Sequence, residues 1–199
     1  HLLSFYPSLP DGFSTDIKLE DLEDNHLLPL NPQWEQSKPS DVLSKDTHLK
    51  GIKSILLAEQ LTIIESTFHL EINNKEIVLD DKDKHLQRMT NFWNKVCSWV
   101  ATAILRQDTP KDQAKIIKKF TKVAQHLMLL RNYSTASQIV AGIQHITIDR
   151  LHRYKEFLTP KAKAGLSKLI DTFSPEENYK NYRKLPFKAP CLRFLAVHQ

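Results

Sequence analysis

The sequence predicts an all-α fold: an irregular multi-helix domain preceded by an extended N-terminal arm. Three observations carry that expectation. Apolar residues recur every three to four positions from Leu57 onward, the spacing that lines one face of a helix. Thr109-Pro110, Thr159-Pro160 and Ser174-Pro175 each set a capping hydroxyl directly before a proline, the punctuation of a helix start. Glycine is scarce: Gly12, Gly51, Gly142 and Gly165 stand where an average chain of this length carries about 14.

Residues 1–49 form the arm. Pro7, Pro10, Pro29, Pro32 and Pro39 are half of the chain's 10 prolines, and helical periodicity is weak apart from a short turn around Ile17 to Leu22. Residues 50–199 form the helical domain. Its first helix runs from about Gly51 to Ile72, with Leu57, Leu61, Ile64 and Phe68 inward. A second stripe, Leu86, Met89, Trp93, Val96 and Val100, extends to about Leu105. The third helix opens at Thr109-Pro110, with Asp112 at the positive end of the helix dipole and Ile117, Phe120, Ala124, Leu127 and Met128 inward. Arg131-Asn132-Tyr133 breaks the period, and Ser134 is expected to cap a fourth helix carrying Ile139, Val140 and Ile143. Thr159-Pro160 opens a helix with Leu166, Leu169 and Ile170 inward. Ser174-Pro175-Glu176-Glu177 has the pattern of a capping box. Glu76 to Leu79 and Leu192 to Val197 are the candidate extended segments.

Composition excludes several functions. With its glycines dispersed, the chain cannot build a phosphate-cradling loop or a dinucleotide fingerprint. The formal charge of +5 is modest, and Arg and aromatics are not interleaved as nucleic-acid binding wants, so no nucleic-acid partner is expected. The densest basic stretch is Lys111 to Lys122, where Lys115, Lys118, Lys119 and Lys122 share or adjoin one face. It reads as a solvated face, or as a site for an acidic partner surface or anionic lipid. No apolar run reaches the roughly 18 residues of a membrane span, and no signal peptide opens the chain. Because it begins at His1 rather than Met, it is expected to be part of a longer protein.

No motif supports ordinary catalysis. The nine histidines form no HExxH pattern, so neither a metal nor a cofactor is expected, and His145 and His152 read as surface or capping residues. Cys97 and Cys191 are too far apart for metal-ligand spacing and read as reduced thiols. Cys97 adjoins the Trp93 stripe, where a buried structural role is the default. Glu59 and Glu65, six apart, share a face poorly for an acid/base pair, and a solvated or salt-bridged role is expected.

Several segments together resemble one family. Ala58-Glu59-Gln60-Leu61-Thr62-Ile63-Ile64-Glu65 resembles A-x-Q-L-T-x-x-E of the Ras guanine-nucleotide exchange factor (RasGEF) catalytic domain. Trp93 to Thr102 resembles its F-N-x-V-x-x-W-V-A-T helix, and Phe120 to Ala124 with Leu130 to Tyr133 resembles F-I-x-I-A and L-x-N-F. Ile139 to Ile143 with Arg150-Leu151, Ser174-Pro175 with Asn178 to Arg183, and Pro190 to Leu195 resemble I-x-x-G-L with R-L, S-P-x-x-N-Y-x-x-Y-R and P-C-I-P-F-L. The segments stand in family order over about Leu57 to Val197.

The resemblance implies a partner rather than a small-molecule substrate: a Ras-superfamily small GTPase, gripped at its switch regions so that GDP leaves. By resemblance, the surface met by the GTPase includes Ser137, Ala141, Gln144, His145, Asn178 and Tyr179, with Lys84 and His85 at the start of the Trp93 helix. It implies a cytoplasmic location, with recruitment to a membrane surface through other domains. Departures are Arg193 for a proline, Ala196 for a glycine, Gln144 for an asparagine and a lengthened connection at Arg106 to Gln113. Family members continue past the P-C-I-P-F motif into a helical hairpin, so the expectation for these 199 residues is a docking face without that wedge. A GTPase-binding or scaffold module without exchange activity is the alternative, and an unrelated helical enzyme the third reading.

Overall fold

The computed structural model describes residue 49 and residues 51–71, 84–188 and 191–193, without the side chains of 70, 71 and 84–86. The chain divides between Asp46 and Thr47, and every described residue belongs to the second unit. The arm, its turn at Ile17 to Leu22 and the segment Glu76 to Leu79 lie outside the described residues.

The elements are α1 (Ser54–Glu71), α2 (Lys84–Leu105), α3 (Pro110–Leu129), α4 (Tyr133–Ile143), α5 (Ile146–Asp149), a 3-10 helix (Arg153–Phe157), α6 (Pro160–Thr172) and α7 (Lys180–Arg183). Among the described residues there is no strand, and the fold is all-helical as expected. Asn132 and Leu192 form one isolated parallel bridge.

Helix α3 is the central post, packing on α1, α2, α4, α6 and the 3-10 helix. Its start is the expected one: Thr109 Oγ1 accepts from Asp112 N at 3.1 Å, with Pro110 in the first turn. Ile116, Ile117, Phe120, Val123, Ala124 and Leu127 are buried along it, and Trp99 of α2 meets the Phe120 ring edge-on at 5.0 Å. Each such large side chain contributes about 1.5–3 kcal/mol through burial. Thr159 caps α6 in the same way, accepting from Ala162 N at 3.3 Å.

Four expectations need correction. The cap of α4 is Asn132, whose Oδ1 accepts from Thr135 N at 2.9 Å; Ser134 lies inside the helix, fully buried. Arg131, at φ 57°, turns the chain between the helices and leaves Asn132 in the capping place. Ser174 to Glu177 form no capping box. Ser174 Oγ accepts from Glu176 N at 3.3 Å, but Glu177, Asn178 and Tyr179 all take left-handed φ (48°, 53° and 55°). A capping box needs right-handed helix at its glutamate, and here the Glu177 carboxylate turns out to Lys180 at 2.6 Å. In α2 it is Phe92 that joins the core beside Met89, Val96 and Val100, while Trp93 is half-buried. Cys97 is also half-buried; both cysteines are free, and burial pushes the Cys97 thiol above its usual pKa, away from reactive thiolate.

Candidate functional site

Helix α4 carries the central part of the expected docking surface, and its sequence makes it nearly all core. Tyr133 to Ser137, Ile139, Val140, Gly142 and Ile143 are buried. Two features clamp it. A Cβ at Gly142 would lie 2.7 Å from both the Cys97 carbonyl oxygen and Val100 Cβ, so glycine is what lets α4 meet the α2 backbone. At the other end, Tyr133 N and Ser134 N donate to Leu192 O at 3.0 and 3.2 Å, and Leu192 N donates to Arg131 O at 3.0 Å. Leu192 thereby satisfies N–H groups that every helix start leaves orphaned. Beside it, Tyr133, Tyr182 and Phe187 form an edge-to-face cluster, with the Arg193 guanidinium 5.1 Å from the Phe187 ring centre.

A buried carboxylate ties α4 to α1 and α2. Glu65 of α1 is wholly inaccessible, so of the solvated and salt-bridged roles expected of it the solvated one does not hold. Its Oε1 accepts from Trp93 Nε1 at 2.7 Å, and its Oε2 from the Thr135 hydroxyl. His69 Nε2 stands 3.8 Å from Oε1. Neither it nor Ser134 Oγ completes a hydrogen bond of its own. Burial by itself would raise the Glu65 pKa; His69, Ser134, Thr135 and Trp93 together outweigh it and hold the carboxyl below the usual range. Next to this network Asn132 Nδ2 donates to Thr62 Oγ1 at 3.2 Å, a second buried link between α4's cap and α1.

What this rigid helix shows to solvent is short. Ala141, Gln144 and His145 are exposed on one edge where α4 ends. His145 caps α5: its Nδ1 is 2.7 Å from Thr147 Oγ1 and accepts from Thr147 N. Ile146, next along, is 63% exposed, an apolar side chain among polar ones. Ser137 is different. It is buried, and its hydroxyl donates to Ser134 O at 2.7 Å, so it braces the helix from within instead of facing a partner. The side chains of Lys84 and His85 lie outside the described residues.

Asn178 and Tyr179 sit in the left-handed turn before α7. Asn181 Nδ2 donating to Asp171 O at 3.0 Å holds the turn to α6, and the Tyr182–Tyr133 ring contact holds α7 to the start of α4. Gln144 follows α4's other end, roughly 15 Å along the axis at 1.5 Å per residue. The two groups of expected site residues are thus anchored at opposite ends of one helix. Sequence reasoning missed the exposure of Ile146 and the part played by Glu65. Ile146 stands between the buried Ile143 and Ile148, so no local pattern marks it as the exposed one, and Glu65 had no signal beyond its place beside Ile64.

A profile of the RasGEF domain matches residues 56–199, well over half of the chain. The chain belongs to the RasGEF domain family. It is 31% identical over 195 residues to Ras guanine nucleotide exchange factor E of Dictyostelium discoideum, covering 89% of this chain and 19% of that protein. It is 29% identical over 169 residues to Ras guanine nucleotide exchange factor A of Dictyostelium discoideum, covering 80% and 28%. To Ras guanyl-releasing protein 3 of Homo sapiens it is 30% identical over 167 residues, covering 76% and 24%. The chain therefore spans less than a third of each relative. Among the described residues of this RasGEF domain, no helix is long and apolar enough to cross a membrane.

Proposed function

We propose that this RasGEF domain is a guanine-nucleotide exchange module for a Ras-superfamily GTPase. It docks on the switch regions through Ala141, Gln144, His145 and Ile146, with the Asn178-Tyr179 turn as a second contact. The observation that carries this reading is the edge at the end of α4: exposed side chains on a helix whose other faces are core. Clamped by Gly142 and by the Glu65 bonds, those side chains are held before the partner arrives, which lowers the entropic cost of association.

Exchange of this kind breaks no covalent bond and needs no catalytic acid or base. The domain binds the nucleotide-free GTPase more tightly than the loaded one, and by linkage it weakens nucleotide binding by the same factor. Relatives whose printed names are Ras guanine nucleotide exchange factors support that reading.

The test is release of a fluorescent GDP analogue from purified Ras, Rap, Ral and Rab proteins, with binding to their nucleotide-free forms measured alongside. Faster release from at least one GTPase is expected. Binding without acceleration would leave a GTPase-binding module in place of an exchange factor, and neither binding nor release would overturn the reading.

A further inference from the structure

The whole-chain charge of +5 conceals a strong imbalance. Residues 47–199 carry 25 Lys and Arg against 14 Asp and Glu, a net +11, whereas residues 1–46 carry 3 against 9. Part of that excess is gathered on one face. Along α3 the outer stripe is Lys111, Lys115, Lys118, Lys122, Gln125 and Leu129, all exposed, and it runs about 27 Å at 1.5 Å per residue. Lys115 pairs with Asp112 at 2.8 Å. Lys119, expected on this face from sequence, leaves it and donates to Ile52 O.

Helix α6 extends the face. A Cβ at Gly165 would sit 2.5 Å from Gln125 Nε2, so α6 meets the α3 stripe at Gln125. Lys161 and Lys168 lie one turn to either side of Gly165 on that side of α6, and both are exposed. Among the described residues, no ion pair joins Lys111, Lys118, Lys122, Lys161 or Lys168 to a carboxylate. The positive potential is felt locally: burial and then the charge of Lys122 pull the Lys119 pKa below its usual value.

We propose that this α3–α6 lysine face binds the anionic phospholipid surface of a membrane. The cations are lysines, point charges on flexible stems. They suit a plane of mobile phosphates better than the bidentate recognition at which arginine excels. No aromatic residue lies between them to stack a base, which disfavours nucleic acid. At the end of the stripe Leu129 is 79% exposed, the pairing of basic face and apolar tip that peripheral helices press into the headgroup region. None of these residues belongs to the α4 edge, so this contact stands or fails independently of GTPase docking.

Flotation of the intact chain with vesicles tests it, using phosphatidylcholine alone and equal parts phosphatidylcholine and phosphatidylserine. Binding is expected only to the phosphatidylserine vesicles, weakening as salt is raised. Replacing Lys118, Lys122 and Lys168 by Gln should lower partitioning by roughly tenfold or more, with Tm and nucleotide release in solution unchanged. A control replaces Arg153, Lys184 and Lys188 by Gln, removing the same charge elsewhere. Equal loss in the control, or no dependence on phosphatidylserine, overturns the proposal. So does binding to soluble polyglutamate without binding to vesicles, which would assign the face to an acidic protein.

Discussion

The indole Nε1 of Trp93 donates to Glu65 Oε1 at 2.7 Å, joining α2 to a carboxylate that no solvent reaches. Thr135 donates to the other oxygen from α4, so one side chain of α1 fixes both neighbours. Glu65→Ala orphans these two donors and, at about 1–3 kcal/mol for each, should destabilise the domain by about 2–6 kcal/mol in urea denaturation. Glu65→Gln keeps an acceptor but buries an extra N–H pair, and a loss of about 1–3 kcal/mol is expected.

The same carboxylate makes a pH prediction. Its pKa is held below the ordinary value of 4.5, so the unfolded chain binds the proton more readily than the folded one. The stability it contributes is present above that value and is lost as pH falls through the lower folded pKa. Denaturation midpoints of the wild type should therefore fall more steeply below pH 4.5 than those of Glu65→Gln. Parallel curves would mean that folding leaves the Glu65 pKa where it is in the unfolded chain, and a shallower fall than that of the variant would mean that folding raises it.

Two helical glycines should respond oppositely to alanine. At Gly142 the added carbon meets the Cys97 carbonyl and Val100 Cβ, which cannot yield without moving α2. Gly142→Ala should cost about 1–3 kcal/mol and weaken GTPase binding by displacing α4. At Gly165 the obstacle is the flexible amide of Gln125. Gly165→Ala should be neutral, or stabilising by up to about 1 kcal/mol through reduced freedom of the unfolded chain.

The exposed edge should separate binding from stability. Gln144→Ala combined with Ile146→Asp should weaken binding to a nucleotide-free GTPase about tenfold or more, while Tm moves little because both side chains are exposed. A large drop in Tm would show that this edge is structural. Unchanged binding at full stability would move the docking face elsewhere.

The left-handed turn gives a further check by thermal denaturation. Asn178, at φ 53°, tolerates a conformation that β-branched residues resist. Asn178→Gly should leave stability unchanged or slightly higher, and Asn178→Val should cost about 1–2 kcal/mol.

Much of this molecule was legible in its sequence. Thr109-Pro110 and Thr159-Pro160 start helices where they stand, because capping is satisfied within four residues of chain. The stripes Leu57-Leu61-Ile64 and Ile117-Phe120-Ala124 are buried because helical periodicity needs no knowledge of the partner surface. The ordered motifs indicated the family before any coordinates. Tertiary structure decided the rest. Glu65 is a buried hub because its donors come from 28 and 70 residues away, and no local pattern announces them. Asn132 displaces Ser134 as cap because Leu192, distant in sequence, pairs with that junction and fixes where the helix begins. Ser137 turns inward and Ile146 outward because α4 is enclosed by α2 and α3 until its last turn. Local chemistry sets where helices start and which face is apolar, while long-range packing alone decides which polar groups must be satisfied inside.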